Sequence, residues 1–173
     1  MKILVLVFHP NMERSQSNKK LSQSISNDSN ITVRYLYEEY PDFKIDVKKE
    51  QSMIENHDRI VIQFPFQWYS SPALFKQWQD DVLEYGWAYG SSGNTLHNKE
   101  LMLAVTTGAP EEVYSSSNQE NITIDELLSP IRATSKLIGI KYLKPFVIHG
   151  VASKSPEVLN NQYEGYYNYI TSD

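Results

Sequence analysis

The sequence predicts an α/β fold: a parallel sheet wound in both directions, with helices on each face. Three observations carry this. Short apolar runs alternate with amphipathic helical patterns from one end of the chain to the other. The runs at 3–8, 58–64 and 100–106 are nearly continuous, as in central parallel strands covered on both faces. Each of these runs also ends in a loop rich in His, Pro, Ser, Thr, Gly or aromatic residues.

In order, residues 3–8 form the first strand and 17–24 a short helix. Asn27, Asp28, Ser29 and Asn30 make a turn before the second strand at 31–36. A polar-rich helix spans 46–56 and the third strand 58–64, ending before Pro65, which has no amide to give to a ladder. Ser71 followed by Pro72 reads as the N-cap and first turn of a helix over 72–85, with Leu74, Phe75, Trp78, Val82 and Tyr85 near helical spacing. A glycine-punctuated loop covers 86–94, and the fourth strand is 100–106. The helix at 124–138 carries Asp125 and Glu126 in its first turn, Gly139 at its end, and Pro130 inside, which predicts a kink or a late start. The fifth strand is 142–149 and the last helix 156–170. For five such strands the natural arrangement is the flavodoxin-like order 2-1-3-4-5, a three-layer sandwich whose switch point lies between strands 1 and 3.

At 173 residues the chain is expected to form a single domain, 1–173, large enough to bury a core without staples. Sixteen basic against 21 acidic residues give a net charge of −5, and no basic run argues for nucleic acid as a partner. With no cysteine, thiol redox chemistry and disulfides are excluded, so redox activity requires a bound cofactor. The apolar N-terminus is only about eight residues long and ends in His9-Pro10-Asn11, so it reads as a buried strand rather than a signal peptide. No run approaches the roughly 20 apolar residues of a membrane span, and a cytoplasmic location is expected.

Three loops hold the candidate chemistry. The first, His9 to Asn18, opens a helix; its amides and positive end, with Ser15, Gln16, Ser17, Asn18 and His9, suit a phosphate, although Ser15 or Ser17 would equally serve as a plain cap. No G-x-G-x-x-G is present, so a Rossmann dinucleotide site is not expected. The second, Phe66-Gln67-Trp68-Tyr69, offers a carboxamide, an indole and a phenol to a flat cofactor, or else covers the end of the sheet. The third, Thr106-Thr107-Gly108-Ala109, permits close backbone approach to a ligand, or is an ordinary turn. Tyr114, a little further on, is a candidate proton donor or a half-exposed surface tyrosine. His57, His97 and His149 show no ligand spacing and read as surface or loop residues, so no metal site is expected. Tyr163, Tyr166, Tyr167 and Tyr169 place the last helix against the sheet or a partner.

Several blocks together resemble the flavodoxin-like NAD(P)H:quinone oxidoreductases related to DT-diaphorase. The similarity is greatest to small bacterial members, the general stress oxidoreductases and the ancillary subunits of glutathione-gated potassium efflux systems. The blocks are His9-Pro10-Asn11 with Ser15 to Asn18, Leu36-Tyr37 with the run from Tyr40-Pro41-Asp42-Phe43 to Asp46, Pro65 to Tyr69, Gly86-Trp87-Ala88-Tyr89-Gly90, and Thr106-Thr107-Gly108. The resemblance implies a non-covalent flavin, FMN in preference to FAD at this length. His9, Ser15, Gln16, Ser17 and Asn18 would take its phosphate side, Phe66, Gln67, Trp68 and Tyr69 the ring, and Thr106, Thr107, Gly108 and Ala109 the ring's polar edge. It further implies NAD(P)H as co-substrate, a quinone-like acceptor, a two-electron ping-pong cycle, and a homodimer with Trp87 and Tyr89 near the interface.

Two departures from the family pattern stand out. Ala109 replaces a second glycine, which costs about 1 kcal/mol or more if that position needs positive φ. No histidine lies between Tyr114 and His149, where eukaryotic members pair their tyrosine with one. The alternative function is a regulatory ancillary subunit docked on a membrane potassium-efflux antiporter. A one-electron flavodoxin carrier is the third reading, and a charge of only −5 gives it a weak docking field.

Overall fold

The computed structural model describes residues 1–117 and 122–172. A parallel sheet forms from β1 (Ile3–Val7), β2 (Ile31–Tyr35), β3 (Arg59–Pro65) and β4 (Glu100–Thr106), in the order β2-β1-β3-β4, with β5 (Lys141–Tyr142) and β6 (Phe146–Ile148) both on the outer side of β4. This is the expected 2-1-3-4-5 order with the fifth strand in two pieces. Leu101 pairs with Tyr142 and Ala104 with Phe146, so Met102 and Leu103 face three residues, Leu143, Lys144 and Pro145. The extra residue is a bulge at the sheet edge, and Pro145 can stand there because it gives up no ladder amide.

The helices are α1 (Ser17–Ile25), α2 (Leu36–Glu39), α3 (Val47–Glu55), α4 (Ala73–Val82), α5 (Ile124–Leu127), α6 (Ser129–Leu137) and α7 (Pro156–Thr171). Leu36, expected to close the second strand, instead begins the short turn α2 and is fully buried. The helix expected over 124–138 divides at Leu128. Thr123 and Glu126 form a capping box on α5, and Pro130 falls in the first turn of α6, where no amide is required. Ser71 is not an N-cap: α4 starts after Pro72, and its Leu74 amide donates to the Tyr37 hydroxyl at 3.2 Å. The same helix ends at Val82, short of Tyr85.

Side chains alternate across the sheet and split the core in two. Leu4, Leu6, Ile60, Ile62, Phe64, Leu103 and Val105 pack under α3, α4 and α6; Ile3, Val5, Val7, Val61, Met102 and Ala104 pack under α1 and α7. Gln63 has the parity of Val61 and so points to the α1–α7 side, where it is wholly buried. No helix among the described residues is long and apolar enough to cross a membrane.

Candidate functional site

Because β1, β3 and β4 are adjacent, the loops that follow them meet at one edge of the sheet. There an open groove of about 430 Å³ is lined by His9, Arg14, Ser15, Gln16, Ser17, Asn18, Pro65, Thr106, Val151 and Ala152. All five residues expected on the phosphate side border it, together with Thr106. Arg14 was not singled out from the sequence, yet it brings a guanidinium to this groove and makes no ion pair among the described residues.

The groove is built from donors. The Asn11 amide donates to His9 Nδ1 at 3.1 Å, and burial pushes the imidazole below its ordinary value. His9 is therefore neutral, with its proton on Nε2. The first amides of α1 have no intrahelical acceptor and the helix dipole is positive at this end. Ser15 combines both readings of that residue: it lines the groove, and its Oγ accepts the Lys19 amide at 3.2 Å. Ser17 Oγ pairs with the Tyr163 hydroxyl at 2.8 Å. Asn18 is 2% exposed and its side chain is engaged inward, on Thr106 and Gln63, so at the groove it offers chiefly its backbone.

The second loop is a tight turn. Gln67 and Ser70 exchange both backbone hydrogen bonds, at 2.8 and 2.9 Å, and Trp68 and Tyr69 between them have φ of 48° and 61°. Two central residues at positive φ are the signature of a type I′ hairpin turn, which favours Asn-Gly. A bulky side chain held there costs about 1–2 kcal/mol. Nor do these aromatics cover the sheet end: Trp68 is 96% exposed and Tyr69 61%. Only Phe66 of this loop packs inward, its amide bonded to the Thr106 carbonyl at 2.8 Å and its ring edge-on to Tyr114 at 5.9 Å.

In the third loop Ala109 is not at positive φ, so its methyl brings no backbone strain. Gly108 is also free of positive φ, and a Cβ built there would meet no protein atom within 4 Å. The chain itself does not require glycine at this position; a cradle that a side chain would fill fits a ligand lying close to the backbone.

His149, read from the sequence as a surface or loop residue, stands beside Tyr114. The rings stack with centroids 5.4 Å apart. Thr107 Oγ donates its one hydrogen to the Ala109 carbonyl at 2.7 Å, so at 3.1 Å His149 Nδ1 is the donor to it and Nε2 is bare. Burial pushes His149 below its ordinary value and Tyr114 above its own, leaving a neutral imidazole against a protonated phenol. The partner expected near Tyr114 in sequence thus comes from the end of β6, a placement that only the sheet order reveals. His57 likewise lies in a loop, and it is buried, 7% exposed, between the Met53 carbonyl and Thr32.

At the glycine loop, Tyr85 just before it and Tyr89 within it are exposed and meet edge to face at 5.6 Å. Trp87 turns inward instead, packing on the core and donating to Glu55 at 2.7 Å.

The family model for the flavodoxin-like fold matches residues 1–170. General stress protein 14 of Bacillus subtilis (strain 168) is 55% identical over 170 residues, 98% of this chain and 97% of that protein. The crystal structure of general stress protein 14 from Treponema denticola in complex with FMN superposes with a TM-score of 0.92 at 37% identity, over 98% of each chain. That of an NADPH-quinone reductase from P. pentosaceus superposes with a TM-score of 0.91 at 32% identity, over 100% of this chain and 99% of that one.

Proposed function

The chain belongs to the flavodoxin-like family, and within it we propose a flavin-dependent NAD(P)H oxidoreductase that binds FMN and reduces a quinone-like acceptor. The observation that carries this reading is the meeting, at one sheet edge, of a donor-lined groove, an open glycine and an exposed aromatic turn. The FMN-bound relative and the NADPH-quinone reductase, both similar over nearly the whole chain, support it.

His9 Nε2–H, the α1 amides and Arg14 hold the phosphate, with Ser15, Gln16 and Ser17 around them and Thr106 on the facing wall. Phe66, Gln67, Trp68 and Tyr69 border the ring, while Thr107, Gly108 and Ala109 bring backbone to its polar edge. Bound there, FMN would supply two-electron hydride chemistry between NAD(P)H and the acceptor. Tyr114 presents a protonated phenol, and His149 a bare Nε2 beside it, so proton delivery to the reduced acceptor falls to this pair. The exposed pairs Trp68–Tyr69 and Tyr85–Tyr89 support a homodimer that covers the ring. A single site used in turn by both substrates gives ping-pong kinetics.

Purified protein is expected to take up FMN and to oxidise NADPH or NADH with a quinone, giving parallel double-reciprocal lines. Gly108→Ala is expected to leave apo stability within about 0.5 kcal/mol and to weaken FMN binding about tenfold. No FMN binding by the wild-type protein, or no quinone-dependent NAD(P)H oxidation by the flavin-loaded form, overturns the reading.

A further inference from the structure

We infer that Gln63, anchored by Tyr166, is a positioning residue that fixes the Asn18 amide so that the Thr106 hydroxyl must donate into the groove. Gln63 lies in the middle of β3, wholly buried, among apolar neighbours. A polar side chain there is favourable only if each of its groups is satisfied.

The hydrogen-bond directions follow from one fixed point. Gln63 Nε2 lies 2.9 Å from the Asn18 backbone carbonyl, which can only accept. The nitrogen end of the Gln63 amide therefore faces α1, and its oxygen faces α7, where it accepts from the Tyr166 hydroxyl at 3.0 Å. The phenol is fully buried, and burial pushes it far above the ordinary range, so it stays protonated and able to donate. Gln63 Nε2 also reaches Asn18 Oδ1 at 3.2 Å. With its oxygen committed to Gln63, the Asn18 amide turns Nδ2 to Thr106 Oγ1, 2.9 Å away. Thr106 accepts that bond, so its own hydrogen must go elsewhere. No protein acceptor for it exists among the described residues, and Thr106 borders the groove.

Tyr166 on α7, Gln63 on β3, Asn18 on α1 and Thr106 on β4 thus form one directed chain that runs between the sheet and the α1–α7 layer. Its effect is to occupy one lone pair of a single hydroxyl whose hydrogen has no protein acceptor among the described residues. Were the Asn18 amide free to flip, the hydroxyl could spend its hydrogen on Oδ1; braced, it keeps that hydrogen for the groove, which suits the acceptor-only oxygens of a phosphate. The inference rests on the FMN reading of the groove.

The test is a double-mutant cycle read as FMN dissociation constants, alongside urea unfolding of the apo proteins. Thr106→Val is expected to weaken FMN binding about tenfold or more, as for loss of a hydrogen bond to a charged group. Gln63→Met is expected to weaken it about fivefold in the wild-type background, and to add nothing when Thr106 is already Val. Tyr166→Phe, which keeps the ring and removes only the donor, is expected to give a smaller loss with the same dependence on Thr106, and it carries the test if Gln63→Met unfolds. Equal weakening by Gln63→Met or Tyr166→Phe in both backgrounds means a merely structural role and overturns the inference. So does unchanged FMN affinity in the folded variants. Failure of the wild-type protein to bind FMN overturns the cofactor reading instead, and the inference falls with it.

Discussion

The two ends of the sheet are built on opposite terms. At the amino ends of the strands polar groups are paired. Arg59 is 1% exposed; its Nε lies 2.8 Å from Glu100, and its Nη1 donates to the Ile170 and Ser172 carbonyls at 2.6 and 2.7 Å. Lys141 holds the other oxygen of the same carboxylate, and Asp58 accepts the Lys2 amide. At the carboxyl ends, two aromatic residues stand in solvent at positive φ, and a buried threonine is left with an unassigned donor. One end closes the fold by tying the C-terminal helix to β3 and β4. The other keeps strain and unmet hydrogen-bonding capacity, which a structure retains only where the surrounding contacts enforce it.

Breaking the amino end is the largest perturbation. Arg59→Met strands Ile170 and Ser172 carbonyls and half of the Glu100 pairing. Unfolding in urea is expected to show a loss of about 3 kcal/mol, with FMN affinity of the folded fraction unchanged within about twofold. A large loss of FMN affinity in folded protein would mean that the two ends are coupled. The reverse perturbation acts on the turn. Replacing Trp68 and Tyr69 together by Asn and Gly installs the pair a type I′ turn prefers. Apo stability is expected to rise by about 1 kcal/mol, while FMN affinity falls. A stability loss on this change would show that the exposed aromatics hold the fold after all.

The strands of the centre were legible because burial on both faces leaves a mark in sequence: 3–8, 58–64 and 100–106 are apolar at almost every position. Gln63 sits within such a run and gives no local sign that it is braced by Tyr166, over a hundred residues away. His149 was illegible for a related reason, since its neighbour Tyr114 becomes adjacent only when β6 lies beside β4. The break at Pro145 could be foreseen from the missing amide, but not the extra residue, which depends on the register of β4. Concern over backbone strain fell on Ala109, judged by side-chain size at a glycine position. Positive φ falls instead at Trp68 and Tyr69, besides Phe43 and Asn98, and in the Trp68–Tyr69 turn it is dictated by hairpin closure between Gln67 and Ser70. Residue types thus indicated which loops carry chemistry, while hydrogen-bond direction and strain required the pairing of distant strands.

The smallest expected effect concerns pH, and it too distinguishes the ends. His9 and His149, both at the carboxyl end, are pushed below the ordinary value of 6.5 by burial, which on His149 outweighs the opposing pull of Glu111 and Glu112. The unfolded chain then binds more protons than the folded one just below that value. Their contribution to stability is fully present above the unfolded value and is lost as pH falls through the lower folded values. The carboxylate of Glu100 at the amino end is held below 4.5 by Lys141, with Arg59 adding to it against the opposing effect of its burial, so it titrates at more acidic pH. Apo protein warmed at about pH 7.5 and about pH 5.5 is therefore expected to melt at a lower temperature in the more acidic buffer. In the His9→Gln, His149→Gln double variant that difference should shrink, because both side chains no longer titrate. FMN phosphate beside His9 favours its charged form, so binding should offset part of the acid loss in the wild-type protein and none of it in His9→Gln. An acid loss of the same size in the double variant would move the pH-sensitive groups away from the groove end of the sheet.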